Sequence, residues 1–169
     1  MGDIFKEQIV KRQSSIFNTL KKVCLIVVAI FLSVIGLTLG GMFGPIILAA
    51  AVFGAWFAMS FLNVEYEYTF TAGELDIDAI YNRSRRKRVF STRVNDIEIM
   101  AHVEDVRHTG AFHGAQVNKD YTSGVTSANT YAFMLNHQNK RTKIIIEPND
   151  VMLRALASVL TRRRLHVKT

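Results

Sequence analysis

The sequence predicts a membrane α-helical hairpin joined to an α+β domain, an antiparallel β-sheet or barrel closed by a C-terminal helix. Three observations carry this. From Val23 to Val64 the chain holds no Asp, Glu, Lys or Arg, a run of 42 residues. Beyond Val64 the apolar period becomes two, the period of a half-buried strand. Near the C-terminus it returns to the helical period. The 169 residues carry a formal net charge of +7 and are half apolar, enough for one packed domain and an appendage.

The apolar run is too long for one span and suits two. Gly40, Gly41, Gly44 and Pro45 stand near its middle, where Gly and Pro break a helix and turn the chain. Two spans are expected, 23–41 and 45–62. At 1.5 Å per residue each covers roughly 26–28 Å, close to the ~30 Å of a bilayer's hydrocarbon core. The lead, 1–22, places Phe5, Ile9, Ile16 and Leu20 near one helical face, which predicts an amphipathic interfacial helix. Lys6, Lys11, Arg12, Lys21 and Lys22 precede the first span and the turn between spans carries no charge. The positive-inside rule therefore predicts a multi-pass protein of the cell membrane with both termini cytoplasmic.

Within the spans, Gly36-xxx-Gly40 and Ala50-xxx-Gly54-xxx-Ala58 let helix backbones approach closely, which suits packing of the two spans on each other or a homodimer contact. Cys24, the single cysteine, can form no intramolecular disulfide and reads as an apolar span residue. Lys6 stands where a myristoylation signal needs Ser or Thr.

The domain from 63 to 169 opens with "VEYEYTFT", which sets Val64, Tyr66, Tyr68 and Phe70 inward and Glu65 and Glu67 outward. "AG" turns the chain and "ELDIDAIY" alternates again, with Asp76 and Asp78 on the solvent face. "YNRSRRKR" reads as the next turn, followed by strands in "RVFSTRV" and "DIEIMAHV". Residues 104–129 lack a period and predict a long loop with one short strand at most. "TYAFMLNHQ" and "KIIIEP" form a last hairpin, turned at "NKRT". "NDVMLRALASVLTRRRL" is amphipathic, with Asn149 or Asp150 as cap and Arg162, Arg163 and Arg164 in its last turn.

A curved sheet of about seven strands closed by one amphipathic helix resembles the pleckstrin-homology (PH-like) superfold. More closely, the chain is similar to small bacterial two-span membrane proteins of a domain family without assigned function. "FKEQIVKRQS", "VEYEYTFTAGELDIDAIYNRSRRKR", "KDYTSG" and "IIIEPNDVML" carry the likeness, which with the spans covers nearly the whole chain. It implies architecture and a non-enzymatic binding or scaffolding module, with no ligand attached.

No catalytic constellation is present. "GGMFGP" lacks the strand-before, helix-after setting of a phosphate loop. His102, His108, His113, His137 and His166 lack zinc-site spacing, so neither metal nor cofactor is expected. The one candidate site is basic: Arg83, Arg85, Arg86, Lys87 and Arg88 fall within six positions. The strand that leaves the membrane at Val64 runs ~26 Å out and its partner runs back as far, which returns this turn toward the bilayer. Two readings stay open there: a solvated edge hairpin that guards against aggregation, or contact of these five residues with anionic lipid headgroups. Nucleic acid is not expected, because Glu65, Glu67, Glu74, Asp76 and Asp78 beside the turn would repel it. The module is thus read as an adaptor for lipid or an unidentified membrane or cytoplasmic protein, or as a structural subunit of a larger membrane complex.

Overall fold

The structure, a computed structural model, describes residues 5–13, 16–160 and 165–166. The chain forms two compact units: Ser14–Val64 with Tyr81–Arg85, and the remainder, Met1–Gln13, Glu65–Ile80 and Arg86–Thr169.

The first of these is the helical unit. Helix α1 (Ile16–Leu39) and helix α2 (Gly44–Ser60) pack on each other, joined by a 3-10 turn, Gly41–Phe43. Gly40 donates its N–H to Gly36 O, and Pro45 sits in the first turn of α2, where its missing N–H costs nothing. The glycines set the approach. A Cβ on Gly44 would lie 2.8 Å from Gly36 O, and one on Gly36 would lie 2.6 Å from the Ile47 side chain, whereas space around Gly54 is open. The first half of the small-residue pattern therefore serves packing of α1 on α2. Both helices are long and apolar enough to cross a membrane, and only 6% of each span is buried, unlike the core helix of a soluble protein.

The β unit begins ahead of the helices. Lys6–Lys11 is a strand, β1, not the expected interfacial helix, and it pairs antiparallel with β2 (Val64–Thr71), Lys6 opposite Phe70 and Lys11 opposite Glu65. Strands β3 (Glu74–Tyr81) and β4 (Arg85–Arg93) complete a four-stranded sheet ordered β1-β2-β3-β4. A second sheet holds β5 (Ile97–His102), β6 (Val117–Asp120), β7 (Tyr131–His137), β8 (Lys140–Ile146) and β9 (Leu165–His166), ordered β6-β8-β7-β5-β9. In place of the expected antiparallel sheet or barrel there are two sheets, and the pairing is mixed, since β6 runs parallel to β8 and β9 parallel to β5. No pairing among the described residues closes them into a barrel.

The hairpins turn tightly. Ala72–Gly73, Asn82–Arg83 and Gln138–Asn139 all have φ between +48° and +86°, as two-residue loops matched to right-twisted strands require. The last hairpin thus turns at Gln138–Asn139, ahead of the expected "NKRT". Tyr68, Phe70, Leu75, Ile77, Phe133 and Ile144 are fully buried between the sheets' inward positions. Helix α3 (Asp150–Val159) is capped by Asn149, whose side chain accepts from Met152 N at 2.8 Å, and it buries Met152, Ala155 and Leu156. Arg162, Arg163 and Arg164 lie outside the described residues. Gln8 of β1 ties to the approach of α3: it donates to Glu147 O and accepts from Asn149 N.

Candidate functional site

The basic run is mostly strand. Only Arg83 lies in the two-residue turn, closed by Ser84 N–H donating to Tyr81 O at 3.1 Å, while Arg85, Arg86, Lys87 and Arg88 begin β4. Because successive strand residues face opposite ways, the run separates into two sets. Arg86 donates to Glu67 at 2.8 Å, and Arg88 reaches Asp76 at 3.0 Å and Asp78 at 3.3 Å. These carboxylates are covered rather than on the solvent face expected of them; the Glu67 side chain is 1% exposed. Two of the five cations thus neutralise buried acid.

The Glu67 carboxyl is pushed above its ordinary value, first by burial, then by a hydrogen bond with Glu7, with the Arg86 charge acting against both. Glu147 is shifted the opposite way. Burial would raise it, but hydrogen bonds from Ser123 and Ser127 outweigh that and hold it low. Those bonds, with Tyr68 Oη donating to Tyr121 O, pin the 121–130 segment to the sheet. Burial pushes the Tyr121 hydroxyl up to about 12.

The other set behaves differently. The Arg85 guanidinium carbon lies 5.9 Å from the centroid of the Phe57 ring near the end of α2, and no carboxylate pairs with it among the described residues. Lys87 is exposed and makes no ion pair among them. The turn belongs to the helical unit: Asn82 N–H donates to Asn63 O at 2.9 Å, and the rings of Phe61 and Tyr81 stand 6.4 Å apart. Lys22, which donates to Asn63 Oδ1, brings a further cation to this end.

Between the turn and α2 lies a cavity of about 280 Å³. Phe53, Trp56, Phe57 and Phe61 form its apolar floor, and Ser60, Tyr81, Asn82, Ser84 and Arg85 its rim. Sequence reasoning missed it. The signal was the spacing of Phe53, Phe57 and Phe61 on one face of α2, whose rings contact in sequence at 6.4 and 5.0 Å, beside the single tryptophan. What joins this stripe to Arg85 is a contact between segments far apart in the chain.

Of the histidines, His102 is buried beside Ser127 O, and His137 lies 5.2 Å from the ring of Phe90. Among the described residues no group of three His, Cys, Asp or Glu could hold a metal.

Residues 2–165 match the model of a protein family described as "Bacterial PH-like domain (DUF6106)". The chain belongs to this family. PH-like domains are commonly binding or scaffolding modules and generally non-catalytic, so the family assignment gives a class of domain and leaves the ligand to be argued from the site. No curated protein and no solved structure matches the chain.

Proposed function

We propose that this bacterial PH-like protein is a membrane-anchored, non-enzymatic binding module, held by the α1–α2 hairpin and oriented by contact of its basic turn with anionic lipid headgroups of the cytoplasmic leaflet. One observation carries the reading. The turn Tyr81–Arg85 groups with the apolar helices, at the end where Lys22 and Asn63 also stand, while the Gly40–Pro45 end has no charge. A cation-rich end opposite an uncharged one is the asymmetry that sets orientation. Each Lys or Arg near an anionic leaflet contributes about 1 kcal/mol, decaying over ~8 Å at physiological salt. Arg86 and Arg88 contribute less than their count suggests, because carboxylates already balance them; Arg85 and Lys87 carry the contact.

Hydrogen exchange of the full chain in lipid nanodiscs tests this. In discs containing phosphatidylglycerol, amides 81–88 exchange more slowly than in phosphatidylcholine discs, and salt removes the difference. Arg85→Gln with Lys87→Gln removes it as well, while Arg86 and Arg88 keep their ion pairs. Equal exchange in both lipids overturns headgroup contact.

A further inference from the structure

We infer that the cavity at the end of α2 seats a single anionic phospholipid, its phosphate on Arg85 and its acyl chains along the aromatic floor. The inference rests on the reading above, that α1 and α2 cross the bilayer, and it narrows a diffuse contact to one bound molecule.

Polarity in the cavity runs in one direction. Phe53 and Trp56 lie one to two turns, roughly 6–10 Å, below the end of α2 at Ser60, whereas Ser60, Ser84 and Arg85 occupy the rim. A ligand that matches must be anionic at one end and apolar at the other, which a membrane phospholipid is. No carboxylate lines the cavity. Arg85 is the one cation that lines it, its guanidinium lies 5.9 Å from the Phe57 ring centroid, and its N–H fork has no partner among the described residues, an arrangement that suits bidentate phosphate binding.

The end of a helix ordinarily presents carbonyls that repel an anion. Here they are engaged: Phe57 O accepts from Ser60 Oγ at 2.6 Å, Ala58 O from Phe61 N–H and Met59 O from Leu62 N–H. With these three carbonyls engaged, the helix end repels an anion less than one with bare carbonyls would. Ser84 Oγ has no partner among the described residues and can donate to the same phosphate.

Trp56 is the single tryptophan, so the floor of the cavity reports on itself. The full chain in detergent micelles is titrated with phosphatidylglycerol brominated on its acyl chains, with tryptophan fluorescence as readout and native mass spectrometry as count. The expected result is saturable quenching with one lipid retained, about tenfold or more weaker for brominated phosphatidylcholine and for Arg85→Gln. Ser84→Leu, which fills the mouth from an exposed position and spares Arg85, should lose the same retention. Equal quenching by both lipids overturns the seat, as does full competition by glycerol phosphate, which would make this a site for free phosphate. Retention of many lipids, indifferent to Arg85→Gln, also overturns it, yet leaves the diffuse headgroup contact standing. Failure of the nanodisc experiment with single-lipid retention intact would do the converse.

Discussion

At Glu67 a carboxylate in a strand that reads as outward-facing is among the most buried polar groups of the protein. Alternation misreads it because the outer face of the sheet is not left to water: the Arg86 and Arg88 side chains lie across it, each bonded to acid on another strand. The run that looked like one basic patch is therefore two structural arginines, Arg86 and Arg88, Arg83 in the turn, and Arg85 and Lys87 without a carboxylate partner among the described residues at the start of β4. A pH dependence follows. Glu67 titrates above its ordinary value in the folded chain, so the fold binds its proton more tightly than the unfolded chain does. The corresponding stability is complete below the ordinary carboxylate pKa and is lost as pH rises through the raised one. Glu147, held low, works in the reverse sense: its stability is present above the ordinary value and lost as pH falls below it. Glu67→Gln keeps the shape and removes the titration. Urea midpoints of the full chain between pH 4.5 and 7 should fall with rising pH more steeply in the parent than in Glu67→Gln; parallel profiles would remove Glu67 as the cause.

Among the elements, the strand pairs β2–β3 and β7–β8, the two apolar helices and the Asn149-capped α3 were legible in the sequence, because each declares itself within a window of a dozen residues. Strand β1 was not. Ile9, and Phe5 just ahead of the strand, are 56% exposed each, and the covered positions belong to Val10 and to Gln8, a polar residue whose partners lie some 140 positions away. Nothing local distinguishes that arrangement from a helix with Phe5, Ile9, Ile16 and Leu20 on one side. The parallel β6–β8 and β5–β9 pairs were hidden for the same reason: the strands are short and their partners distant. The consequence is that 63–169 is not the whole β domain. Deleting the helical hairpin and joining 5–13 to 63–169 by a short Gly-Ser linker would close a β1–β2 hairpin at Lys11 and Glu65. That protein should be more stable to urea than 63–169 alone by roughly 3 kcal/mol, from the burial of Val10 and the two Gln8 bonds. Equal stability would show that β1 adds nothing.

For the whole molecule, the interleaving of its two units turns topology into a structural requirement. The strand before α1 must pair with the strand after α2, and six backbone pairings from Lys6–Phe70 to Lys11–Glu65 hold them together. If α1 and α2 cross the bilayer, the residues on either side of the hairpin are then confined to one face of it, whichever face that is. The choice of face follows from charge. Lys21 and Lys22 of α1 and the turn that carries Arg83 and Arg85 stand with the ends of the spans, and the Gly40–Pro45 link has none. On the proposed reading, retention of Lys and Arg in the cytoplasm predicts that both termini lie inside. In a Cys24→Ser background, a cysteine at Met42, 86% exposed in the link, should react with a membrane-impermeant maleimide on intact cells. A cysteine at Lys87 should react only after the cells are opened. Labelling of both positions from outside would mean that the hairpin does not span. A reversed pattern would put the β unit outside the cell, and the anionic cytoplasmic leaflet could then no longer be the surface that Arg85 and Lys87 meet.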